Sequence, residues 1–183
     1  ARPDSVLDGV SVYGARLKMG EYLADKLAIA HLLKYDSVHG RFDSEISLVS
    51  DKLMVNKHEI TLLSKSDPKD LPWKDLAIDV VIECTGRFTH TAGASMHLAA
   101  GAKKVIISAP SQEASIPMIV MGVNDQILDG TETIISNASC TTNCLAPMIQ
   151  VLDQHFGVVK GFASTVHSYT NDQNLHDAPH RDL

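Results

Sequence analysis

The sequence predicts an α/β fold with a doubly wound parallel sheet. Three apolar runs of strand length occur at 79–86, 104–110 and 133–135. Between and after them, at 90–101 and 145–156, apolar residues recur three and four positions apart, which is the helical period. Strands that alternate with helices form βαβ units, and these units build a parallel sheet with right-handed crossovers.

The elements before this sheet are less regular. A dinucleotide-binding fold should begin with a strand and Gly-x-Gly-x-x-Gly, but Gly9, Gly14 and Gly20 are five and six residues apart. We therefore expect residues 1–20 to be degraded, shortened or an unrelated leader. Periodicity and turn residues predict the remaining elements, which are helices at 23–33 and 67–76 and strands at 46–49, 53–55, 60–63 and 118–121.

Composition and charge narrow the class of protein. The chain has 183 residues, of which 44% are hydrophobic and 21% charged, as in ordinary globular proteins. A net charge of −6 argues against a nucleic-acid surface, and no apolar run reaches the length of about 18 residues that a membrane span needs. Three cysteines do not make a disulfide framework, and the histidines lack metal-ligand spacing. We expect a cytoplasmic protein without a structural metal.

Cys140 is a candidate nucleophile. It follows the predicted strand 133–135, and Ser139 before it is a favourable N-cap residue for the helix that continues through 145–156. Backbone N–H groups at a helix start favour a thiolate, although a lone cysteine of unknown setting is more often buried and inert. His167 lies 27 residues later, near the end of a predicted strand at 158–166. A returning strand would bring this imidazole near the helix start as a general base.

Two blocks of sequence sharpen this interpretation. They are Ser-Asn-Ala-Ser-Cys-Thr-Thr-Asn-Cys-Leu-Ala-Pro at 136–147 and Ser-Thr-Val-His-Ser-Tyr-Thr-Asn-Asp-Gln at 164–173. Both resemble the phosphorylating glyceraldehyde-3-phosphate dehydrogenase family, and the similarity extends over roughly 23–183. The resemblance implies a Rossmann-like NAD-binding domain at 1–139, followed by the start of an α+β catalytic domain at 140–183. The chain thus resembles about the N-terminal half of the enzyme.

The resemblance also implies roles for individual residues. Cys140 would attack the aldehyde of glyceraldehyde 3-phosphate, and His167 would act as the base while hydride passes to NAD. Inorganic phosphate would then attack the thioester to give 1,3-bisphosphoglycerate. The matching positions are Ser139, Thr141 and Thr170 for substrate or phosphate, and Thr85, Gly86, Ser108 and Asn171 for the cofactor. Full-length members are homotetramers.

Some positions depart from the family pattern, and alternatives stay open. Tyr22 stands where an acidic residue would bind the adenosine ribose, and Ser66 stands where a basic residue would lie near the adenine. Erythrose-4-phosphate dehydrogenase shares the cysteine and histidine motifs. A catalytically inactive fragment that serves as a binding or structural module is a further alternative. We expect these 183 residues alone to bind NAD weakly, with a Kd above about 1 mM.

Overall fold

The computed structural model describes residues 6–7, 10–11, 30–31, 33–36, 40–49 and 52–168. They belong to two compact units. One unit lies within Ala1–Ser64 and His167–Leu183, and the other is Lys65–Val166. The predicted glycine turn and most of the helix predicted at 23–33 lie outside the described residues, although positions 30, 31, 33 and 34 are helical.

The first unit contains short antiparallel strands. Strands β1 (Val6–Leu7) and β2 (Val10–Ser11) pair with each other, as do β3 (Tyr35–Asp36) and β4 (Gly40–Arg41). A three-stranded antiparallel sheet has the order β5-β6-β7, formed by Ile46–Val49, Lys52–Val55 and His58–Thr61. Asn56 begins the β6–β7 turn with a φ of 56°, a backbone conformation that asparagine tolerates well. The three strands of this sheet confirm the strands predicted at 46–49, 53–55 and 60–63, although the third begins and ends two residues earlier than predicted.

The second unit is built on a parallel sheet. Its strands are β8 (Val80–Glu83), β9 (Lys104–Ile107) and β10 (Ile134–Ser136), in the order β10-β9-β8. Helix α1 (Thr91–Ala99) connects β8 to β9, and helix α2 (Cys140–Phe156) follows β10. Parallel pairing and the βαβ connection confirm the predicted α/β class.

The core of this unit lies between the sheet and α1. Its buried residues are Val81, Ala94, Ala102, Val105, Ile107 and Ile116. Ala94 is fully buried and Leu98 packs against this cluster, as the helical period predicts. The same face of α1 also carries His97, which is only 4% exposed and which hydrophobic periodicity alone does not identify.

Two predicted elements are shorter than expected. The helix predicted at 67–76 is only a 3₁₀ turn, Pro68–Asp70, because Leu71 precedes Pro72 and is forced into an extended conformation. The strand predicted at 118–121 is reduced to an isolated bridge between Met118 and Ser136. The amide of Asn124 accepts from Val120 N and donates to the Met118 carbonyl, so it occupies backbone groups that a longer strand would use.

The strand predicted at 158–166 is wrong. Helix α2 ends at Gly157, which has a φ of 70°, and residues 157–168 form neither helix nor strand. Val159 is 97% exposed, and Phe162 and Val166 are fully exposed. A strand needs a neighbour to satisfy its backbone groups, and no described strand pairs with this segment. Among the described residues, no helix has the length and apolar character needed to cross a membrane.

Candidate active site

The three parallel strands end level with one another. The pairing register places Glu83 beside Ile107 and Ile107 beside Ser136. The residues that follow these three positions therefore emerge at the same carboxyl edge of the sheet, where ligands of open α/β sheets bind. They include the predicted cofactor residues at 85, 86 and 108 and, after β10, the predicted nucleophile Cys140.

Cys140 is the first residue of α2, as the sequence predicts. Ser139 is the N-cap, and its hydroxyl accepts a hydrogen bond of 2.9 Å from Thr142 N. Cys140 is exposed at this helix start, where the N–H groups and the positive end of the helix dipole favour a negative charge. The site is therefore suited to a thiolate and to an oxyanion that forms next to it.

The turn between β10 and α2 is held by backbone and side-chain bonds. Asn137 N donates to the Ile107 carbonyl at 2.9 Å. Ser136 is fully buried, and its hydroxyl donates to the Ala109 carbonyl and accepts from Ala138 N. Ala138 has a φ of 55°, in the left-handed region that costs most residues roughly 1–2 kcal/mol. The network holds this strained residue directly before the helix cap.

Asn143 completes the support of this turn. Its side-chain amide donates to the Asn137 carbonyl at 2.8 Å and to the Ser139 carbonyl at 2.9 Å. Sequence reasoning did not assign a role to Asn143 or Ser136, although both lie inside the block 136–147. In the sequence, Ser136 could be recognised only as a polar residue at the end of an apolar strand, where a buried polar group needs hydrogen-bond partners.

The predicted phosphate-binding residues of this segment have structural contacts. The Ser139 hydroxyl already serves the helix cap and also lies 2.7 Å from Thr142 Oγ1. Thr141 is half-buried in the first turn of α2. The cap role is confirmed, and the contacts of Ser139 and Thr141 with substrate or phosphate stay predictions.

The turn after β8 offers backbone rather than side-chain groups. The Thr85 hydroxyl donates to the Glu83 carboxylate and accepts a bond of 3.1 Å from Arg87 N. Gly86 has a φ of 73°, and an added Cβ there would meet no atom within 4 Å. Open space above a left-handed glycine lets a ligand approach the backbone closely. Ser108 is exposed directly after β9. The contacts of Thr85, Gly86 and Ser108 with the cofactor stay predictions.

A buried polar chain lies beneath this turn. Glu83 is 3% exposed and lies 3.0 Å from His97 Nε2, while Trp73 Nε1 donates to His97 Nδ1 at 3.0 Å. From the sequence, none of these three residues was assigned a functional role. A carboxylate at the end of an apolar strand was the one visible signal, because buried charges require partners.

The remaining predicted residues lie elsewhere. His167 Nδ1 is 2.6 Å from the Ser168 carbonyl, which can only accept, so this nitrogen carries a proton. His167 belongs to one unit and Cys140 to the other, so their pairing stays a prediction. Thr170 and Asn171 lie outside the described residues. Within the described part of the chain, no group of three potential metal ligands occurs.

Comparison with known protein families identifies both parts of the chain. Residues 17–91 match the family model of the glyceraldehyde 3-phosphate dehydrogenase NAD binding domain. Residues 139–183 match the model of the C-terminal domain of the same family. The second match begins at the N-cap of the helix that carries Cys140, and the two ranges together cover more than half of the chain.

Curated relatives agree with these matches. The glyceraldehyde-3-phosphate dehydrogenase of Clostridium acetobutylicum is 55% identical over 159 residues, which are 87% of this chain and 47% of that protein. The Geobacillus stearothermophilus protein of the same name is 55% identical over 162 residues, covering 88% and 48%. The Mycobacterium tuberculosis protein is 54% identical over 163 residues, covering 88% and 48%.

The chain spans about half the length of the curated relatives that it matches. Its fold is α/β, with a Rossmann-like NAD-binding domain followed by the start of a catalytic domain. The parallel sheet and the helix-capped cysteine agree with this assignment. The chain belongs to the glyceraldehyde-3-phosphate dehydrogenase family.

Proposed function

We propose that this chain contributes to a phosphorylating glyceraldehyde-3-phosphate dehydrogenase that uses NAD. One observation carries the proposal. Cys140 is exposed at the first position of α2, at the sheet edge where the Thr85–Arg87 turn and Ser108 also emerge. Oxidative acyl transfer from an aldehyde requires a nucleophile, donors that stabilise the oxyanion, and a place beside them for the dinucleotide. The helix start supplies the first two, and we assign the sheet edge to the third.

The chemistry begins at sulfur. The Cys140 thiolate adds to the aldehyde carbon of glyceraldehyde 3-phosphate and forms a hemithioacetal, whose oxygen the N–H groups at the α2 start stabilise. His167 removes the hydroxyl proton as the C–H bond breaks and the carbon is oxidised to a thioester. NAD, held by Thr85, Gly86, Ser108 and Asn171, supplies the hydride acceptor. Inorganic phosphate attacks the thioester carbonyl, and the Cys140 thiolate leaves as the acyl phosphate forms.

The assembly and location follow from the same proposal. We place the complete protein in the cytoplasm, because a reducing compartment preserves a catalytic thiol. We also propose that it is a homotetramer. Exposed apolar residues on α2 and in 157–168 support further subunit or domain contacts, since a monomer rarely exposes so many. They include Met148, Val151, Leu152, Phe156 and Phe162.

The role of Cys140 as the nucleophile is tested by an activity assay on the whole protein, as it is isolated. Absorbance of NADH should rise with glyceraldehyde 3-phosphate and NAD only when phosphate is present, and Cys140→Ser should abolish the signal. Cys144→Ser is the matched control, because Cys144 is exposed on the same helix one turn later and should be dispensable. Phosphate-dependent turnover that survives Cys140→Ser would refute the assignment.

Selective labelling tests the thiolate separately from turnover. Cys84, Cys140 and Cys144 are all exposed, so accessibility alone does not separate them. Iodoacetamide at neutral pH should modify Cys140 first, because only this thiol lies at a helix start. Mass spectrometry of the peptides gives the order, and equal rates at all three cysteines would count against an activated thiol.

The role of His167 has its own test. His167→Asn should lower the rate of NADH formation about 10²–10⁴-fold, the usual effect of losing a general base. His155→Asn is the control, because that imidazole is exposed on α2 and bonds only its own helix, at the Val151 carbonyl. Near-native turnover of His167→Asn would remove this residue from the proposed mechanism.

A further inference from the structure

The cofactor turn rests on a buried carboxylate. Glu83 Oε1 accepts a bond of 2.7 Å from Thr85 N and a second bond from the Thr85 hydroxyl. Glu83 Oε2 lies 3.0 Å from His97 Nε2, and both side chains are at least 95% buried. The position of the Thr85 backbone is therefore tied through one carboxylate to a residue of α1.

Trp73 fixes the protonation pattern of this chain. An indole N–H can only donate, so His97 Nδ1, which receives the bond from Trp73 Nε1 at 3.0 Å, must be the unprotonated nitrogen. The ring proton then lies on Nε2 and points to Glu83 Oε2. Each group of the chain thus donates to the next, from Trp73 through His97 to Glu83, and Thr85 donates to Glu83 from the other side.

Close packing prevents this arrangement from relaxing. Gly93 of α1 approaches the segment after the cofactor turn so closely that an added Cβ would lie 3.0 Å from the Phe88 Cα. The Phe88 ring stands edge-on to the His97 ring, with 6.2 Å between centroids and 88° between planes. Helix α1 is therefore in close contact with the segment after the turn, and a displacement of one is transmitted to the other.

We propose that Trp73, His97 and Glu83 are positioning residues of the cofactor site and set the affinity for the dinucleotide through the Thr85–Gly86 turn. None of the three needs to touch the ligand. The inference rests on the proposed function, because the turn is the part of the sheet edge assigned to NAD. It adds that a buried imidazole tautomer, chosen by the Trp73 indole, controls the geometry of that turn.

Glu83→Gln is the decisive substitution. The introduced amide can still accept from Thr85 N, but its NH₂ group would face the N–H of His97, and two donors cannot bond. His97 cannot change tautomer without placing a second proton donor against Trp73 Nε1. We expect the KM for NAD to rise about tenfold, the effect of losing one such bond, with the KM values of aldehyde and phosphate unchanged.

Trp73→Phe should suppress this defect. Without the indole donor, His97 can carry its proton on Nδ1 and accept from the introduced amide at Nε2. The double variant Trp73→Phe/Glu83→Gln should therefore bind NAD within about threefold of Trp73→Phe alone, since the donor conflict is gone. Recovery through a second substitution distinguishes tautomer control from general loss of stability, because a simple packing defect would become worse when another core side chain is cut back.

Asp79→Asn provides the matched control. It makes the same acid-to-amide change at the opposite end of the β8 segment, where Asp79 pairs with Lys103 at 2.6 Å and both side chains are mostly exposed. Its KM for NAD should equal that of the unchanged protein. An unchanged KM for NAD in Glu83→Gln, or a raised KM that Trp73→Phe does not restore, would overturn the proposal.

Nuclear magnetic resonance supplies a readout that does not depend on turnover or on folding of the variants. In ¹⁵N-histidine-labelled protein, His97 should show the cross-peak pattern of the Nε2–H tautomer. The indole N–H peak of Trp73, assigned as the peak that Trp73→Phe removes, should shift when NAD is added. An Nδ1–H tautomer, or an indole peak that NAD leaves in place, would refute the relay. Unmodified protein that binds NAD but makes no NADH would instead refute only the proposed reaction.

Discussion

The turns after β8 and β10 are each held by a buried polar side chain, but the two side chains depend on different kinds of partner. Each strand finishes in a buried polar residue whose side chain accepts from the N–H two positions later: Glu83 from Thr85 N at 2.7 Å, and Ser136 from Ala138 N at 3.1 Å. The second partner of Ser136 is the Ala109 carbonyl, which any residue type would supply. The second partner of Glu83 is His97, which in turn needs Trp73. The turn after β10 therefore depends on backbone geometry beyond Ser136, whereas the turn after β8 depends on the identity of further side chains.

The largest effect is expected from Glu83→Ala. Removing the carboxylate leaves the His97 N–H and the Thr85 N–H without their acceptor inside the protein, and it opens a cavity. The free energy of unfolding should fall by about 3–5 kcal/mol, because a buried donor left without an acceptor costs about 1–3 kcal/mol and the cavity left by the side chain adds to this. Urea unfolding followed by circular dichroism measures this change.

Glu59→Ala is the control for that experiment. Glu59 pairs with Lys52 on the surface, where both side chains are about half exposed, and its removal should cost less than about 1 kcal/mol. Equal losses for the two variants would contradict the view that the β8 end depends on a buried carboxylate.

Ser136→Ala should have an intermediate effect. The substitution removes the donor to the Ala109 carbonyl and the acceptor for Ala138 N, but it leaves a much smaller cavity than Glu83→Ala. We expect a loss of about 1–3 kcal/mol in unfolding free energy, which is the cost of leaving buried backbone groups unsatisfied. Ser47→Ala, on an exposed strand position of β5, should be near neutral in the same urea titration. A loss larger than that of Glu83→Ala would reverse the comparison.

The smallest expected effect is a change in the pKa of Glu113, a carboxylate near the surface. Glu113 accepts from the hydroxyl and the N–H of Thr91 at the start of α1, and these bonds hold the pKa of Glu113 below its ordinary value. A lowered pKa in the folded state stabilises the protein above the unfolded-state pKa, and this stabilisation is lost as the pH falls through the folded-state pKa. Thr91→Val should raise the pKa of Glu113 and weaken the pH dependence of stability on acidification.

Carbon-detected NMR titration of the glutamate side chains measures that shift. Thr131→Val is its control, because Thr131 makes the corresponding bonds to Asp129 and lowers the pKa of that carboxyl instead. The control should raise the pKa of Asp129 and leave that of Glu113 unchanged. A Glu113 pKa that does not respond to Thr91→Val would remove these bonds as its cause.

The same contrast explains what the sequence could predict. The β10 end is predictable because a strand, an N-cap serine and a helical period are all local patterns, and together they place Cys140 at the helix start. The β8 end is not, because Trp73 and His97 are 24 residues apart and bond only after α1 packs on the sheet. The strand at 158–166 was wrong since β-branched and aromatic residues form a strand only where a neighbouring strand accepts them.

Ala138 limits which residue types the position before the helix cap can accept. Its φ of 55° excludes β-branched side chains, and its burial, at 4% exposure, excludes long ones. Glycine would relieve the backbone but would restore freedom to the unfolded chain. Asparagine tolerates this backbone conformation, but its amide would be buried there and would need hydrogen-bond partners. The range of substitutions compatible with a correctly directed thiol is therefore narrow at a residue that takes no part in the chemistry.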